Sequence, residues 1–164
     1  MIISRRQLTA LVALTLVWGV NWPMMKFSLR ELSPLFFRGV TMTGGALLLL
    51  AWYAGRGVPM RLPRAAWGPL LVLALPNIFG WHLFSILGVQ ELASGRAATL
   101  GFTMPIWTVL LAAAFFGQPL SRRALVGMAC AGAAVALLVA DEITALAGRP
   151  VGVLWMQIAA VCWA

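Results

Sequence analysis

The stretch that decides the fold runs from Glu91 to Leu120 and reads ELASGRAATLGFTMPIWTVLLAAAFFGQPL. The 25 residues from Ala97 to Ser121 carry no charged side chain, and about 20 apolar residues are enough to cross a hydrocarbon core. One face of this predicted helix is nevertheless polar or aromatic, because four such residues recur at helical spacing, namely Arg96, Thr99, Thr103 and Trp107. The stretch therefore predicts a membrane-spanning helix with one face turned to protein or water.

A proline lies inside this predicted span. Pro105 has no backbone N–H, so the helix must kink there or open one of its turns. A helix break beside a polar face is typical of a helix that lines a translocation pathway. We therefore expect Thr103 to face such a pathway.

The composition places the whole chain in a membrane. The 164 residues are 62% hydrophobic and only 10% charged, with a mean hydropathy of +0.94, whereas about a quarter of the residues in a soluble domain are charged. The net charge of +8 would suggest nucleic acid in a soluble protein. Here the basic residues lie in short gaps between apolar runs, so lipid head groups and membrane orientation explain them better, and we expect no nucleic-acid partner.

Five apolar stretches are long enough to span, and the gaps between them are short and contain Gly and Pro. Short gaps force consecutive helices to lie antiparallel. The fifth stretch is so rich in Gly and Ala that it is predicted to be a packing scaffold or a dimer contact. The predicted spans are Leu8–Phe27, Ser33–Gly55, Ala65–Gln90, Ala97–Phe116 and Ala124–Ala140.

The charges of the gaps predict the orientation of the chain. One set of alternate segments holds seven basic residues and no acid: Arg5, Arg6, Arg56, Arg61, Arg64, Arg122 and Arg123. All four acids lie in the other set: Glu31, Glu91, Asp141 and Glu142. Because Lys and Arg near span ends are retained on the cytoplasmic side, the N-terminus is predicted to be cytoplasmic.

A sixth apolar run, PVGVLWMQIAAVCWA, extends from Pro150 to Ala164 and stops before it could span. Its last seven residues, IAAVCWA, are similar to LTLVWGV at Leu14–Val20. This match suggests that a second copy of the unit begins here, and after five spans that copy must be inverted. We therefore expect the chain to be truncated within its sixth span.

The first two predicted spans carry polar side chains that are costly in lipid. Asn21 and Trp22 precede Pro23, which frees a backbone carbonyl one turn back, and Lys26 follows within the same span. Arg38 lies about five residues inside the second span, and no carboxylate lies inside any span. Cations that share an outer vestibule would attract an anionic or amino-acid-like solute, so both are predicted to bind substrate.

Two other interpretations of these cations stay open. Lys26 could extend to the outer head groups, as lysines near span ends do. Arg38 and Arg96 could instead pair with Glu31 and Glu91 and fasten the outer loops.

The third predicted span is also interrupted and polar. Pro76 and Asn77 lie near its middle, and Asn77, Trp81 and Ser85 share one helix face. This face is a second candidate lining of the pathway. His82, the only histidine, is either a packing residue or a proton relay.

Signals for catalysis or metal binding are missing from the sequence. It has no intramembrane acid, no Gly-x-Ser-x-Gly turn and no His-Glu-x-x-His motif. Cys130 and Cys162 lack the clustered spacing of a metal site. We expect no enzymatic activity and no bound metal.

The order of the motifs resembles that of the EamA-type drug/metabolite transporters. The resemblance depends on four stretches: Trp18-Gly19-x-Asn21-Trp22 followed by Lys26, SPLFFR at 33–38, LASGRAA at 92–98 before Pro105, and FFGQPLS at 115–121 before the Gly-rich fifth span. Two departures are visible. Gln118 stands where the family usually has Glu, and the helices expected after the sixth are absent.

The resemblance implies an all-α, polytopic helix bundle that is half of a ten-helix carrier with two inverted repeats. Residues 1–145 would be the first five-helix repeat, and residues 146–164 the start of the second. The implied activity is alternating-access export of small metabolites or drugs across the inner membrane, without an organic cofactor. The implied cavity residues are Asn21, Trp22, Asn77, Trp81 and Thr103, with Lys26 and Arg38.

The alternative is an inactive fragment or membrane subunit that needs a second half. A homodimer of two inverted copies is disfavoured, because the charge bias of the gaps fixes one orientation.

Overall fold

The computed structural model describes residues 4–140 and 150–164, and within those ranges every regular element is helical. The elements are α1 (Arg5–Ser28), α2 (Pro34–Gly55), α3 (Arg64–Ala74), a π-helical segment (Leu75–Gly80), α4 (Trp81–Glu91), α5 (Ser94–Gly101), α6 (Met104–Phe116), α7 (Arg122–Ala140) and α8 (Pro150–Trp163).

Among the described residues, four helical stretches are long and apolar enough to cross a membrane: Arg5–Ser28, Pro34–Gly55, Arg64–Glu91 and Ser94–Phe116. The predicted all-α class with long apolar helices is thereby confirmed. α7 coincides with the fifth predicted span and α8 with the sixth apolar run, while the count of five spans plus a truncated sixth stays a prediction. The predicted boundary between two repeats, after residue 145, lies outside the described residues.

The three prolines predicted to disturb helices have different local settings. Pro23 lies inside α1, which continues through it. Pro76 lies at the start of the π-helical segment, where the third span changes from α3 to α4. Proline removes one intrahelical hydrogen bond, and a locally wider turn relieves the clash of its ring with the preceding turn. Pro105 lies in the first turn of α6, after a break at residues 102–103, because a helix start tolerates a missing N–H.

The core of the molecule centres on the contact between α4 and α8, to which buried residues of α1 and α5 are added. The two helices run antiparallel, since Gly80 lies against Cys162 while Gly152 lies against Glu91 and Leu92. Ile86, Val89, Met156, Ala159 and Ala160 on these two helices have no solvent exposure. Dispersion contacts of this density stabilise helix pairs in lipid, where the hydrophobic effect between helices is weak.

Glycines make the close approach of α4 and α8 possible. A Cβ at Gly88 would lie 2.5 Å from the Met156 sulfur, and one at Gly152 would lie 2.7 Å from Glu91 Cβ. Real Cβ atoms are not found this close to other atoms, so hydrogen is the only substituent that fits these positions without a shift. The α4–α8 contact is therefore a close-packed helix pair of the small-residue type.

The remaining helices are more exposed. No residue of α2 is buried, and large apolar side chains such as Leu48 (74% exposed) and Leu137 (72%) point outward. Such surfaces suit contact with acyl chains. A methyl group added at Gly127 or Gly132 of α7 would meet no neighbouring helix of the described residues within 4 Å. Val135 of the same helix packs against the core, and the role of α7 as a packing scaffold or dimer contact stays a prediction.

Candidate functional site

A cavity of about 440 Å³ lies between α1, α2, α4 and the break that separates α5 from α6. Its walls are mostly aromatic and apolar, with a few polar groups, as is usual for small-molecule sites. Four of the seven predicted substrate residues line it. The lining is Val17, Trp18, Asn21, Trp22, Arg38, Ile78, Trp81, His82, Phe102, Met104 and Trp163.

Arg38 supplies the positive charge of this cavity. Its Nη2 donates to the Met25 sulfur at 3.0 Å and lies 3.4 Å from the Ser85 hydroxyl oxygen. Both partners are neutral, and Arg38 forms no ion pair with a described carboxylate. The alternative that Arg38 pairs with Glu31 is therefore not what the structure contains. A guanidinium inside a span without a counter-charge is costly unless water or a ligand compensates it.

His82 lies beside Arg38 in the cavity wall. Its Nδ1 and the Nε of Arg38 are the two buried side-chain polar atoms that lack a hydrogen-bond partner among the described residues. Both residues also line a second cavity of about 320 Å³ between α2 and the third span. Because buried polar groups are nearly always paired in folded proteins, two orphans at one wall mark a place for water or a solute.

Tryptophans form the apolar walls of the cavity. The rings of Trp22 and Trp81 meet edge to face with centroids 6.5 Å apart, and Trp81 lies 5.4 Å from Trp163. Phe102, at the break between α5 and α6, lies 6.3 Å from Trp22. These rings come from four separate elements, so the walls exist only in the folded chain. Asn21 also lines the cavity, with its amide nitrogen 3.9 Å from the Met25 sulfur.

The other three predicted substrate residues lie outside the lining of this cavity and connect helices. Lys26 donates from Nζ to the carbonyl oxygens of Val89 (2.9 Å) and Gln90 (2.7 Å). These carbonyls belong to the last turn of α4, where a cation also complements the helix dipole. In this structure Lys26 fastens α1 to α4 and does not extend to head groups.

Asn77 and Thr103 also bond to other elements or to the local backbone. The Asn77 amide donates to the Trp163 carbonyl oxygen at 3.2 Å and so joins the π-helical segment to α8. Thr103 is buried, and its hydroxyl donates to the Leu100 carbonyl oxygen at 2.7 Å.

Gln157 is a polar residue of the centre that was not predicted from the sequence. Its Oε1 accepts from the Trp107 indole at 3.0 Å and lies 3.3 Å from the Thr103 hydroxyl. Two of the four residues of the polar face predicted for the fourth span, Thr103 and Trp107, therefore meet a protein amide on α8. A lone amide within the apolar run PVGVLWMQIAAVCWA was the available signal, since such groups join helices in membranes.

Residues that could hold a metal do not cluster in the described part of the chain. Among residues 4–140 and 150–164 there is no group of three or more His, Cys, Asp or Glu side chains placed to bind an ion. Cys130 is exposed, and Cys162 lies against Gly80.

Comparison with known proteins identifies relatives of this chain among transporters. Residues 6–140 match the EamA-like transporter family. The chain is 30% identical over 156 residues to the uncharacterized transporter YvbV of Bacillus subtilis (strain 168), covering 94% of this chain and 50% of that protein. It is 31% identical over 159 residues to the uncharacterized inner membrane transporter YedA of Escherichia coli (strain K12), with the same coverage.

A third relative is 25% identical over 162 residues, which cover 98% of this chain and 52% of the relative. It is an Escherichia coli (strain K12) protein named "Probable amino-acid metabolite efflux pump". The chain thus spans about half the length of these curated relatives. No solved structure matches it significantly.

Proposed function

The chain belongs to the EamA-like transporter family, and from this premise we propose that it forms one half of a secondary transporter for small amphipathic solutes. The transporter works by alternating access in the cytoplasmic membrane and moves its solute outward. Its N-terminus is cytoplasmic, as the basic residues of alternate gaps indicate.

The observation that carries this proposal is the setting of Arg38. The guanidinium lines a cavity within the membrane-spanning part of the chain, and its partners are a thioether and a hydroxyl. No described carboxylate neutralises it. A carboxylate on the solute would supply the missing counter-charge, and His82 beside it would supply a second polar contact. The site therefore favours solutes with an anionic group.

The rest of the cavity favours an apolar portion on the same solute. Trp22 and Trp81 offer ring faces and edges, and the Asn21 amide offers one more polar contact. A solute with a carboxylate and an apolar or aromatic body fits both sets of groups. Amino-acid metabolites are one class with this chemistry, and the name of one relative refers to such compounds.

The neutral partners of Arg38 suit release as well as binding. A site that carried a permanent carboxylate would compete with the solute for the guanidinium. Here the Arg38 guanidinium faces the cavity, so water that enters the open side of the cavity can replace the solute.

A second five-helix repeat completes the transporter in this proposal. Exposed apolar faces on α2 and α7 and the half-length match to relatives support this arrangement. The second repeat is supplied either by the same polypeptide or by another chain. The alternative is a subunit without transport activity of its own, and a flux measurement distinguishes the two.

The experiment measures carboxylate flux in vesicles that contain the full-length protein. Arg38→Gln should abolish saturable uptake of an amino-acid carboxylate into inverted vesicles, while the membrane yield stays that of the parent. The matched control is Arg56→Gln, at the other end of α2, where the guanidinium lies exposed over the Trp52 ring at 4.6 Å. Flux that is equal in parent, Arg38→Gln and Arg56→Gln would remove Arg38 from the site.

A further inference from the structure

The polar group at the centre of α8 contacts the break in the fourth span from both sides. Gln157 accepts from Trp107, one turn after the break, and its Nε2 lies 3.5 Å from the carbonyl oxygen of Leu100, just before the break. We call Leu100, Thr103, Trp107 and Gln157 the Gln157 clasp. The clasp connects α5, α6 and α8 at one point.

The chemistry of the donors fixes the orientation of the amide. An indole N–H can only donate, so the atom of Gln157 that faces Trp107 must be the carbonyl oxygen. The Thr103 hydroxyl has one proton, which goes mainly to Leu100 at 2.7 Å and only weakly to Gln157 at 3.3 Å. The bond from Trp107 is therefore the principal link between α6 and α8.

The break itself needs such support. Thr103 N–H donates to the Leu100 carbonyl oxygen at 3.2 Å, which is the tight turn of a helix that does not continue regularly. Pro105 has no N–H to restore the normal pattern. With the regular ladder interrupted, side-chain bonds act together with packing against α8 to set the angle between α5 and α6.

The angle at the break also sets the shape of the central cavity. Phe102 and Met104 flank Thr103, and both line the cavity that contains Arg38. Gln157 itself is not part of that lining. A change at the clasp would therefore move a wall of the cavity without removing a group that touches the solute.

We propose that Gln157 is a positioning residue for transport, which holds α5 and α6 in the arrangement seen here and whose release lets the cavity wall move. The inference rests on the proposed transport function for its consequence in flux. Its structural part does not depend on any solute. The Gln157 side chain bridges the broken helix, with its oxygen contacting α6 and its nitrogen contacting α5.

The test uses the full-length protein in membranes, in a background without Cys130 and Cys162, with a single cysteine at Phe102. Gln157→Leu should change the rate of maleimide labelling roughly five- to tenfold, the size expected for the loss of one or two neutral hydrogen bonds in a two-state equilibrium. Trp107→Phe keeps an aromatic ring but loses the donor, and should shift labelling in the same direction by less. Thr108→Val is the control, because that hydroxyl bonds to the backbone of its own helix.

Labelling rates equal to the parent in both Gln157→Leu and Trp107→Phe would overturn the proposal. Trp107→Phe decides the matter by itself if Gln157→Leu fails to reach the membrane. In flux assays, Gln157→Leu should change the maximal rate and leave the half-saturating concentration within about twofold, because the solute does not touch Gln157. A parent without flux would contradict the proposed function, while the labelling result would still decide whether the clasp sets the helix angle.

Discussion

The glycines of two regions differ in their surroundings: those of the α4–α8 contact are tightly packed, while those of α7 have open space beside them in the described part of the chain. In the contact between α4 and α8, added methyl groups at Gly88 and Gly152 would collide with Met156 and Glu91. In α7, Gly132 has open space in the described part of the chain. Small side chains permit close approach, but a partner with matching shape must be present to use it. The difference shows that composition marks a capacity for packing and not a contact.

The largest loss of stability that tests this comparison is expected on substitution of Met156. Its side chain has no solvent exposure, so Met156→Ala leaves a cavity and should lower the free energy of unfolding in detergent by about 2 to 4 kcal/mol. Leu137→Ala, on the exposed side of α7, should change it by less than about 0.5 kcal/mol. Thermal unfolding of the full-length protein measures both. Equal losses would mean that α7 is packed as tightly as α8.

Adding one methyl group should have a smaller effect on stability, and the effect should differ in sign between α8 and α7. Gly152→Ala should destabilise by about 1 to 3 kcal/mol, because the new Cβ meets Glu91 Cβ and Leu92 Cγ, neither of which can move far. Gly132→Ala should be neutral or slightly stabilising, since Ala is the better helix former by up to about 1 kcal/mol. A destabilised or dissociated Gly132→Ala variant would indicate that α7 contacts a second chain or repeat, and the comparison would then fail.

The smallest effect on stability is expected at Lys26. Lys26→Met removes two hydrogen bonds to the end of α4 and should cost about 1 to 2 kcal/mol. The half-saturating concentration for transport should not change, because Lys26 does not line the central cavity. Arg30→Met is the control, since Arg30 lies exposed over the Phe27 ring. A large rise in the half-saturating concentration for Lys26→Met alone would restore Lys26 as a substrate residue.

The polar residues of the spans also fall into two groups, one bonded within the protein and one left without a matching charge in the described part of the chain. In the sequence, three of them resemble Arg38 in being costly in lipid, namely Lys26, Asn77 and Thr103. The structure satisfies these three with backbone carbonyls or Gln157, and leaves Arg38 without a counter-charge among the described residues. Cost in lipid predicts only that a polar group turns inward, because helix contacts and solute cavities relieve that cost equally well.

Several features of the fold followed from local sequence. The apolar spans and their short gaps predicted an all-helical membrane protein, and the family resemblance agrees with the match over residues 6–140. The division of the fourth span at Pro105 follows from a residue that lacks a backbone donor. Gln157 was missed because its role depends on Trp107, 50 residues away along the chain.

The sequence by itself determined which segments are helices, how apolar they are and where their backbone ladders are interrupted. Those properties depend on each residue and its near neighbours, through hydrophobicity, proline and glycine. Only the tertiary structure decided that α8 is the most tightly packed partner of α4, that Gln157 bridges the break before α6, and that Arg38 and His82 share one cavity wall. These are contacts between distant segments, and in a bilayer they depend on complementary shape and hydrogen bonding, which no single segment specifies.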